Sequence, residues 1–474
     1  MTADGSNLAP ALLESEVERF STDSRAVTAG EVFFAFSQPE FKNNCFNGDF
    51  MDATKFVPKA FENGAIAAVI RKDRFEEHQD LFEQHVHKLI FSDDVIVAFQ
   101  QLAHHVYLDW NKPVVAVTGS AGKTTAKELI AHILQSGGKK VLRSEKNYNN
   151  GLGHPLTVLK LAAENSFDVA VLEMGMSTPN REIARLCEIT PPDVAVELNV
   201  LPVHIEHLGS IENIAKAKAE LVEGLKSDGT AILNADDFRV VQMQNLHLGR
   251  KLTYGIENEA DIRAENIVMK RFGETHFTLK TPDGDETVVF QLSGKHNVLN
   301  ALAASAVGYS FGMTATEIAE ALKTVKPPKQ RGEIIHFEEG FTIINDSYNS
   351  NPAALLKMVA TLNEGATSSN RRILVAGEML ELGSEEKEIH RKTGKELATS
   401  GIDVLIGVRN LAADLVNSAR ENGLSDTRFF ETSEEAGEFL SREIRENDLV
   451  LIKGSRGVRT EKVIEKIVQN YKTV

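Results

Sequence analysis

The chain has 474 residues, 42% hydrophobic and 25% charged, an ordinary globular mixture that excludes a disordered tail, a collagen-like rod and a small disulfide scaffold. At roughly 150 residues per domain this length accommodates about three domains. Lys plus Arg number 52 against 68 Asp plus Glu, a formal charge of −16, which argues against general binding to nucleic acid or anionic membrane but leaves room for a local basic phosphate pocket.

Residues 1–110 alternate short apolar runs with helical pattern. Val32–Phe36, Ala67–Ile70 and Leu89–Phe91 read as strands, and Val95–Leu108 as a helix with apolar residues at helical spacing. The polar, Asn-rich stretch Ser37–Gly48 reads as a loop. Asn111-Lys112-Pro113 breaks the pattern and sets a boundary at 110/111. Across 111–326 strand and helix keep alternating, which predicts a mostly parallel sheet covered by helices. Lys326-Pro327-Pro328-Lys329-Gln330 is a stiff connector. Beyond it, in 327–474, the runs Thr342–Asn345, Ile373–Ala376, Val404–Ile406, Arg428–Phe430 and Leu449–Ile452 are separated by helical segments and predict an open Rossmann-like sheet. No G-x-G-x-x-G follows its first strand, so a dinucleotide site is not expected there. The whole reads as a three-domain α/β protein. Cys45 and Cys187 stand far apart and match no metal spacing, so free thiols in a reducing compartment are expected. No signal-peptide pattern opens the chain and no window approaches the roughly 18 apolar residues of a membrane helix, so the expectation is a soluble, cytoplasmic protein with no membrane insertion.

The sharpest local signal is a buried strand, Val114–Val117, running into Thr118-Gly119-Ser120-Ala121-Gly122-Lys123-Thr124-Thr125 and then a helix over Ala126–Leu134. Glycines let backbone N–H groups curl around phosphate oxygens, the helix N-terminus adds partial positive charge, and the lysine reaches the β- and γ-phosphates. A Thr124 hydroxyl at that position holds Mg²⁺. Val117 stands where the longer P-loop pattern has its first glycine, so this is the short T-G-x-x-G-K-T form.

Ligand sites in open α/β sheets lie beyond the carboxyl ends of the strands. The strand Asp168–Leu172 ends in Glu173-Met174-Gly175, where a carboxylate can serve a metal on the γ-phosphate or simply face solvent. Val194–Asn199 leads to His204, which can ligate metal, move a proton or be structural. A helix around Ile211–Leu225 carries Lys216 and Lys218.

Taken together these residues resemble the Mur ligase family, ATP-dependent amide-forming enzymes of peptidoglycan precursor synthesis. The resemblance covers nearly all of the chain: TGSAGKTT (118–125), NYNNGLGHPLTVL (147–159), EMG (173–175), AKAKAEL (215–221), LNADD (233–237) and GKHNVLNALAA (294–304) in the centre; STDSR (21–25), Gly30 and VFFAF (32–36) before it; NDSYNSNP (345–352), AGEMLELG (376–383) with His390, and KGSR (453–456) after it. The outer segments are similar to the member that joins D-alanyl-D-alanine to UDP-N-acetylmuramoyl-tripeptide. The D-N-P-R motif of the member that adds the third amino acid is absent. SQPEFKNNCFNGDF (37–50) departs from the family's Gly-rich D-G-H stretch, so only Ser24 and Arg25 are carried over for the UDP end.

The resemblance implies a division of labour. Gly119, Ser120, Ala121, Gly122, Lys123, Thr124, Thr125, Asn150, His296, Asn297, Asn300 and Arg331 would bind ATP. Thr124, Glu173 and His204 would hold Mg²⁺, two ions in all. Lys123, His204 and Lys218 would be catalytic, with Lys218, the second lysine of AKAK, the carbamylated one. Ser24, Arg25, Asp346, Asn349, Asn351, Lys453 and Arg456 would bind substrate, with Ser455 beside the last pair. His204 and His390 both stand open as the base for the incoming amine. The implied partners are UDP-N-acetylmuramoyl-tripeptide and D-alanyl-D-alanine, for a monomeric enzyme that binds no nucleic acid. Three alternatives remain: a ligase adding a different amino acid, a non-catalytic P-loop switch, and a folylpolyglutamate-type or cyanophycin-type ligase, against which the N-terminal STDSR module argues.

Overall fold

Runs of small and β-branched residues such as Val114-Val115-Ala116-Val117 are apolar on both faces, and that continuity marks a strand covered by helices on both sides. A computed structural model describes residues 3–6, 8–44, 46, 51–145, 147–176, 178, 180–202 and 208–474, the side chains of residues 3 and 271 excepted. It is an α/β protein whose sheets are dominated by parallel strands. The chain forms two compact units, residues 1–123, 137–202 and 210–252 in the first, and 124–136, 203–209 and 253–474 in the second.

The first unit opens with β1 (Ala3–Asp4), β2 (Phe20–Ser21), β3 (Val32–Phe34), β4 (Ala67–Arg71) and β5 (Leu89–Ser92), in the order β1-β5-β4-β3-β2. Only β1 pairs antiparallel. Phe33, Ala35, Val57, Ala60, Phe82 and Leu89 are among the residues of its core. The stretch read as a loop from Ser37 contains a helix, Gln38–Asn43. The reason is a capping box. Glu40 Oε2 accepts from both Ser37 N at 2.5 Å and Ser37 Oγ at 2.9 Å, Pro39 occupies the first turn, and those local bonds outweigh the polar composition. The second half of that stretch, 45 and 47–50, lies outside the described residues. The helix Val95–Trp110 ends with Asn111 in the left-handed conformation (φ 46°), consistent with the break read there.

The same unit continues with β6 (Val114–Thr118), β7 (Val141–Arg143), β8 (Val169–Glu173), β9 (Val194–Glu197) and β10 (Thr230–Asn234). These five are all parallel, in the order β10-β9-β6-β8-β7. Every residue of β6, β8, β9 and β10 is buried. β8 extends one residue further than read, so Glu173 closes the strand, and β9 stops at Glu197 rather than Asn199.

β11 (Arg250–Gly255) leads to the second unit. There the expected strand–helix alternation fails, because β12 (Ile262–Arg271), β13 (Glu274–Thr281) and β14 (Gly284–Phe290) form an antiparallel meander. Burial along β13 alternates strictly, the period of a sheet with one wet face, and Pro282-Asp283-Gly284 supplies the turn to β14. The last sheet holds β15 (Glu333–His336), β16 (Thr342–Asp346), β17 (Arg371–Gly377), β18 (Val404–Val408), β19 (Thr427–Phe430) and β20 (Asp448–Lys453), in the order β15-β16-β20-β17-β18-β19. All five expected runs are strands; β15, an antiparallel edge strand, was not anticipated. One face packs on Leu355, Val359, Leu397 and Leu415, the other on Ala436, Leu440, Val463 and Ile467, so helices cover both sides as in a doubly wound sheet. No helix among the described residues is long and apolar enough to cross a membrane. Cys187 is a buried free thiol; Cys45 lies outside the described residues.

Candidate active site

At the end of β6 the chain turns through Gly119 (φ 154°) and Gly122 (φ 87°). A Cβ on Gly119 would stand 2.7 Å from the Leu198 Cβ, so only glycine fits where the turn passes β9. The helix Lys123–Ser136 follows, starting three residues earlier than its apolar spacing indicated, with Thr124 and Thr125 in its first turn. Within the first unit the turn is tied to the chain just past β9. Ser120 N donates to Asn199 O at 2.9 Å. Ala121 N donates to Asn199 Oδ1 at 2.9 Å, and Asn199 Nδ2 donates to Ala121 O at 3.0 Å. Ser120 Oγ accepts from Leu201 N at 2.8 Å and donates to Leu201 O at 3.1 Å. Lys123 Nζ folds back onto Gly119 O at 2.8 Å.

Register sets the neighbouring carboxylates. Val117 lies opposite Glu173 and Thr118 opposite Glu197, so both acids sit at carboxyl ends of strands flanking the turn. Alternation along β6 puts them on opposite faces of the sheet. Glu173 is buried, and its Oε1 accepts from Asn149 Nδ2 at 2.9 Å. Asn150, the residue singled out from the sequence, folds its Oδ1 onto the chain that follows, accepting from Gly153 N at 2.9 Å and Leu152 N at 3.2 Å.

Glu197 is fully buried, and burial pushes its carboxyl well above the usual range, Asp237 adding to the rise while Lys218 and Lys123 oppose it. Lys218, on the helix Ile211–Glu223, is buried too. Its amine is lowered to about 7, first by desolvation and then by the charge of Lys123, with Glu197 pulling the other way. Both shifts favour the neutral forms, as a low-dielectric interior requires. Lys216, two residues away, is exposed. Asp237 caps the helix Phe238–Gln242 and accepts from Val200 N at 2.7 Å, while Asn234 Nδ2 donates to Leu198 O at 2.7 Å. His204 lies outside the described residues.

Elsewhere in this unit, Ser24 is buried with its carbonyl accepting from Asn63 Nδ2 at 2.8 Å. Arg25 is 86% exposed and forks onto Asp23.

In the second unit, β16 and β20 place Asp346 opposite Lys453. Lys453 Nζ bonds the Asp346 carboxylate and donates to Asn349 O at 2.9 Å, both charges nearly buried. Ser455 Oγ accepts from Leu380 N at 3.0 Å. Arg331 lies over the Tyr348 ring at 4.0 Å and Arg456 at 6.0 Å from the same centroid, so the connector arginine and the final-strand arginine share one aromatic plate. Asn351 Oδ1 accepts from Ala354 N at 2.8 Å and caps the helix Pro352–Gly365. His296 follows Gly294 (φ 90°), and its imidazole is lowered to about 3 by burial and by Lys357 and Lys453. Asn297 Nδ2 donates to Ser293 O at 2.8 Å, and Asn300 is buried. His390 does not suit the role of base. Its Nε2 accepts from Met379 N at 3.0 Å and its Nδ1 donates to Glu386 O at 2.7 Å, so both nitrogens serve the backbone and one neutral tautomer is locked in place.

Of the residues singled out from the sequence, Glu173 and Lys218 are buried in the first unit, and Asp346 and Lys453, singled out separately, pair in the second. The sequence did not single out Asn199, Glu197, Asn149 or Tyr348. Asn199 alone carried a signal, a polar side chain directly past an apolar strand next to the glycine turn.

The chain matches the Mur ligase middle domain over residues 117–308 and the Mur ligase glutamate ligase domain over residues 330–456. It is 33% identical over 466 residues to the UDP-N-acetylmuramoyl-tripeptide–D-alanyl-D-alanine ligase of Bacillus subtilis, covering 97% of this chain and 95% of that one. The Escherichia coli ligase of the same name is 33% identical, with 96% and 94% covered. Among solved structures, MurF from Acinetobacter baumannii superposes with a TM-score of 0.83 at 27% identity, covering 96% of this chain and 94% of that one. Thermotoga maritima MurF, solved in complex with ADP, gives 0.79 at 26% identity, with 95% and 97% covered. With its glycine turn, Glu173 and Lys218 inside the first matched domain, its Asp346–Lys453 pair inside the second, and end-to-end likeness to such ligases, the chain belongs to the Mur ligase family.

Proposed function

We propose that the chain is an ATP-dependent, ADP-forming ligase that joins D-alanyl-D-alanine to UDP-N-acetylmuramoyl-tripeptide in peptidoglycan precursor synthesis, acting in the cytoplasm. The observation that carries this reading is the Gly119–Lys123 turn between strands ending in buried carboxylates, in a chain that matches ligases of that name from end to end. Three modules divide the work: 1–110 takes the UDP sugar, 111–326 takes ATP, and 327–474 takes the dipeptide.

A carboxylate does not react with an amine at neutral pH because hydroxide is a poor leaving group. In the proposed reaction an oxygen of the tripeptide's terminal carboxylate attacks the γ-phosphorus and ADP departs. The dipeptide amine then adds to the acyl phosphate carbon, and phosphate leaves through a tetrahedral intermediate as the amine gives up a proton. The first step brings two anions together, so charge neutralisation and alignment dominate its catalysis. Lys123 would exchange Gly119 O for the β- and γ-phosphates. Glu173, whose buried carboxylate accepts from Asn149, would hold Mg²⁺ together with Thr124 and His204, since magnesium binds through one or two carboxylates plus phosphate oxygens. When bound, the metal neutralises phosphate charge. Asp346, Asn349, Lys453 and Arg456 would hold the dipeptide, with Arg331 turned toward phosphate.

For Lys218, a buried amine lowered to about 7 is substantially neutral at cellular pH. A neutral amine can add to CO₂, releasing a proton, and become a carbamate; this turns a repelling cation into an anion. Burial of Lys218 beside exposed Lys216 supports choosing the second lysine of the pair. The decisive test is mass spectrometry of products from paired acceptor and dipeptide panels. The expected product is UDP-N-acetylmuramoyl-tripeptide extended by D-alanyl-D-alanine through one new amide. Extension by a single amino acid, or no product with any pair, would overturn the reading.

A further inference from the structure

Much of the glycine turn is already bonded within the first unit. Of its backbone donors, the Ser120 N–H is committed to Asn199 O and the Ala121 N–H to Asn199 Oδ1. The Asn199 amide also returns a donor to Ala121 O, gripping that residue on both sides. Asn199 is in turn anchored from behind: on one side Asn234 Nδ2 holds Leu198 O, and on the other the Asp237 carboxylate holds Val200 N. The side chain therefore reaches from a braced strand end to the outer half of the glycine turn. Gly119 leaves no room for a side chain, since a Cβ there would stand 2.7 Å from the Leu198 Cβ.

We infer that Asn199 is a positioning residue for the phosphates of the nucleotide. By tying down Ser120 and Ala121 it directs the later part of the loop, Gly122 onward, toward the ligand. It touches no reacting atom and acts only through the loop's shape. A turn with two positive-φ glycines has many conformations of similar energy, and phosphate binding must select one. Holding that one in advance removes the selection penalty. Each of the two side-chain bonds is worth roughly two- to tenfold in such an equilibrium. The inference rests on the ligase reading for its consequence in turnover, but the loop's shape is testable without it.

The experiment measures binding of ADP, inorganic pyrophosphate and adenosine to the full-length wild type, Asn199→Ala and Asn199→Asp by calorimetry, alongside amide product formation. In Asn199→Ala, ADP and pyrophosphate are expected to weaken together by roughly tenfold or more, with adenosine within about twofold. KM for ATP should rise while KM for the UDP acceptor stays put, a split that general destabilisation would not produce. Asn199→Asp keeps the acceptor for Ala121 N, loses the donor to Ala121 O and adds a negative charge. It should weaken pyrophosphate more than ADP's adenosine portion, and it carries the test should the alanine variant not fold. Pyrophosphate affinity unchanged in the variants, or adenosine lost in parallel with it, overturns the inference. Failure of the wild type to form amide product instead overturns the ligase reading and leaves the phosphate comparison standing.

Discussion

Burial drives Lys218 and His154 toward their neutral forms for one reason, the cost of an ion in a low-dielectric interior, yet the consequences differ. On the ligase reading the neutral Lys218 amine is needed for chemistry. Lys218→Ala should lower kcat about a hundredfold or more, with short carboxylates such as acetate restoring part of it. Unaltered turnover in that variant would remove the carbamate. For His154 the consequence is in stability. Its ring, fully buried and held by Thr190 Oγ1 at 2.8 Å, is lowered to about 3. The unfolded chain takes up that proton near pH 6.5 and the folded one does not, so the stability linked to this group is present above pH 6.5 and is lost as pH falls toward 3. His154→Gln should therefore reduce the loss of unfolding free energy between pH 7 and pH 5 by about 2 kcal/mol in urea titrations. An identical pH slope in both proteins would refute this. Lys218 was legible in the sequence because a family motif marks it. Glu197 was not, since a lone acid inside Val-Ala-Val-Glu-Leu looks the same whether it faces water or the interior.

At the scale of elements, polar residues singled out for binding also serve local structure. Asn351 caps a helix, Asn150 Oδ1 takes up the Gly153 N–H, and Ser37 with Glu40 builds a helix inside what reads as a polar loop. Loss of the Asn351 cap should cost about 1 kcal/mol in Asn351→Ala, and Asn351→Ser should recover most of it, as thermal unfolding would show. If both variants unfold like the wild type while losing dipeptide affinity, the side chain works for substrate and not for the helix. The meander β12–β14 shows the complementary failure. Its alternating pattern and Pro-Asp-Gly turn were present in the sequence, but a strand–helix rhythm on either side of it set the wrong expectation.

For the whole molecule, the ligase reading requires that ATP cleavage wait for its partners. Phosphate release should be at background with ATP alone or with either substrate singly, and should rise at least about a hundredfold with both present. ATP hydrolysis indifferent to acceptor and dipeptide would mark a nucleotide switch. The sequence by itself determined the α/β class, the phosphate turn and the family, because these depend on short-range patterns: apolar runs, glycine positions, and a lysine and threonine at fixed spacing. Only the tertiary structure decided which polar groups matter within those patterns. Burial, strand register and cross-strand hydrogen bonds are set by residues distant in the chain. They put Lys218 inside and Lys216 outside, Asn199 against Ala121, and both His390 nitrogens on backbone.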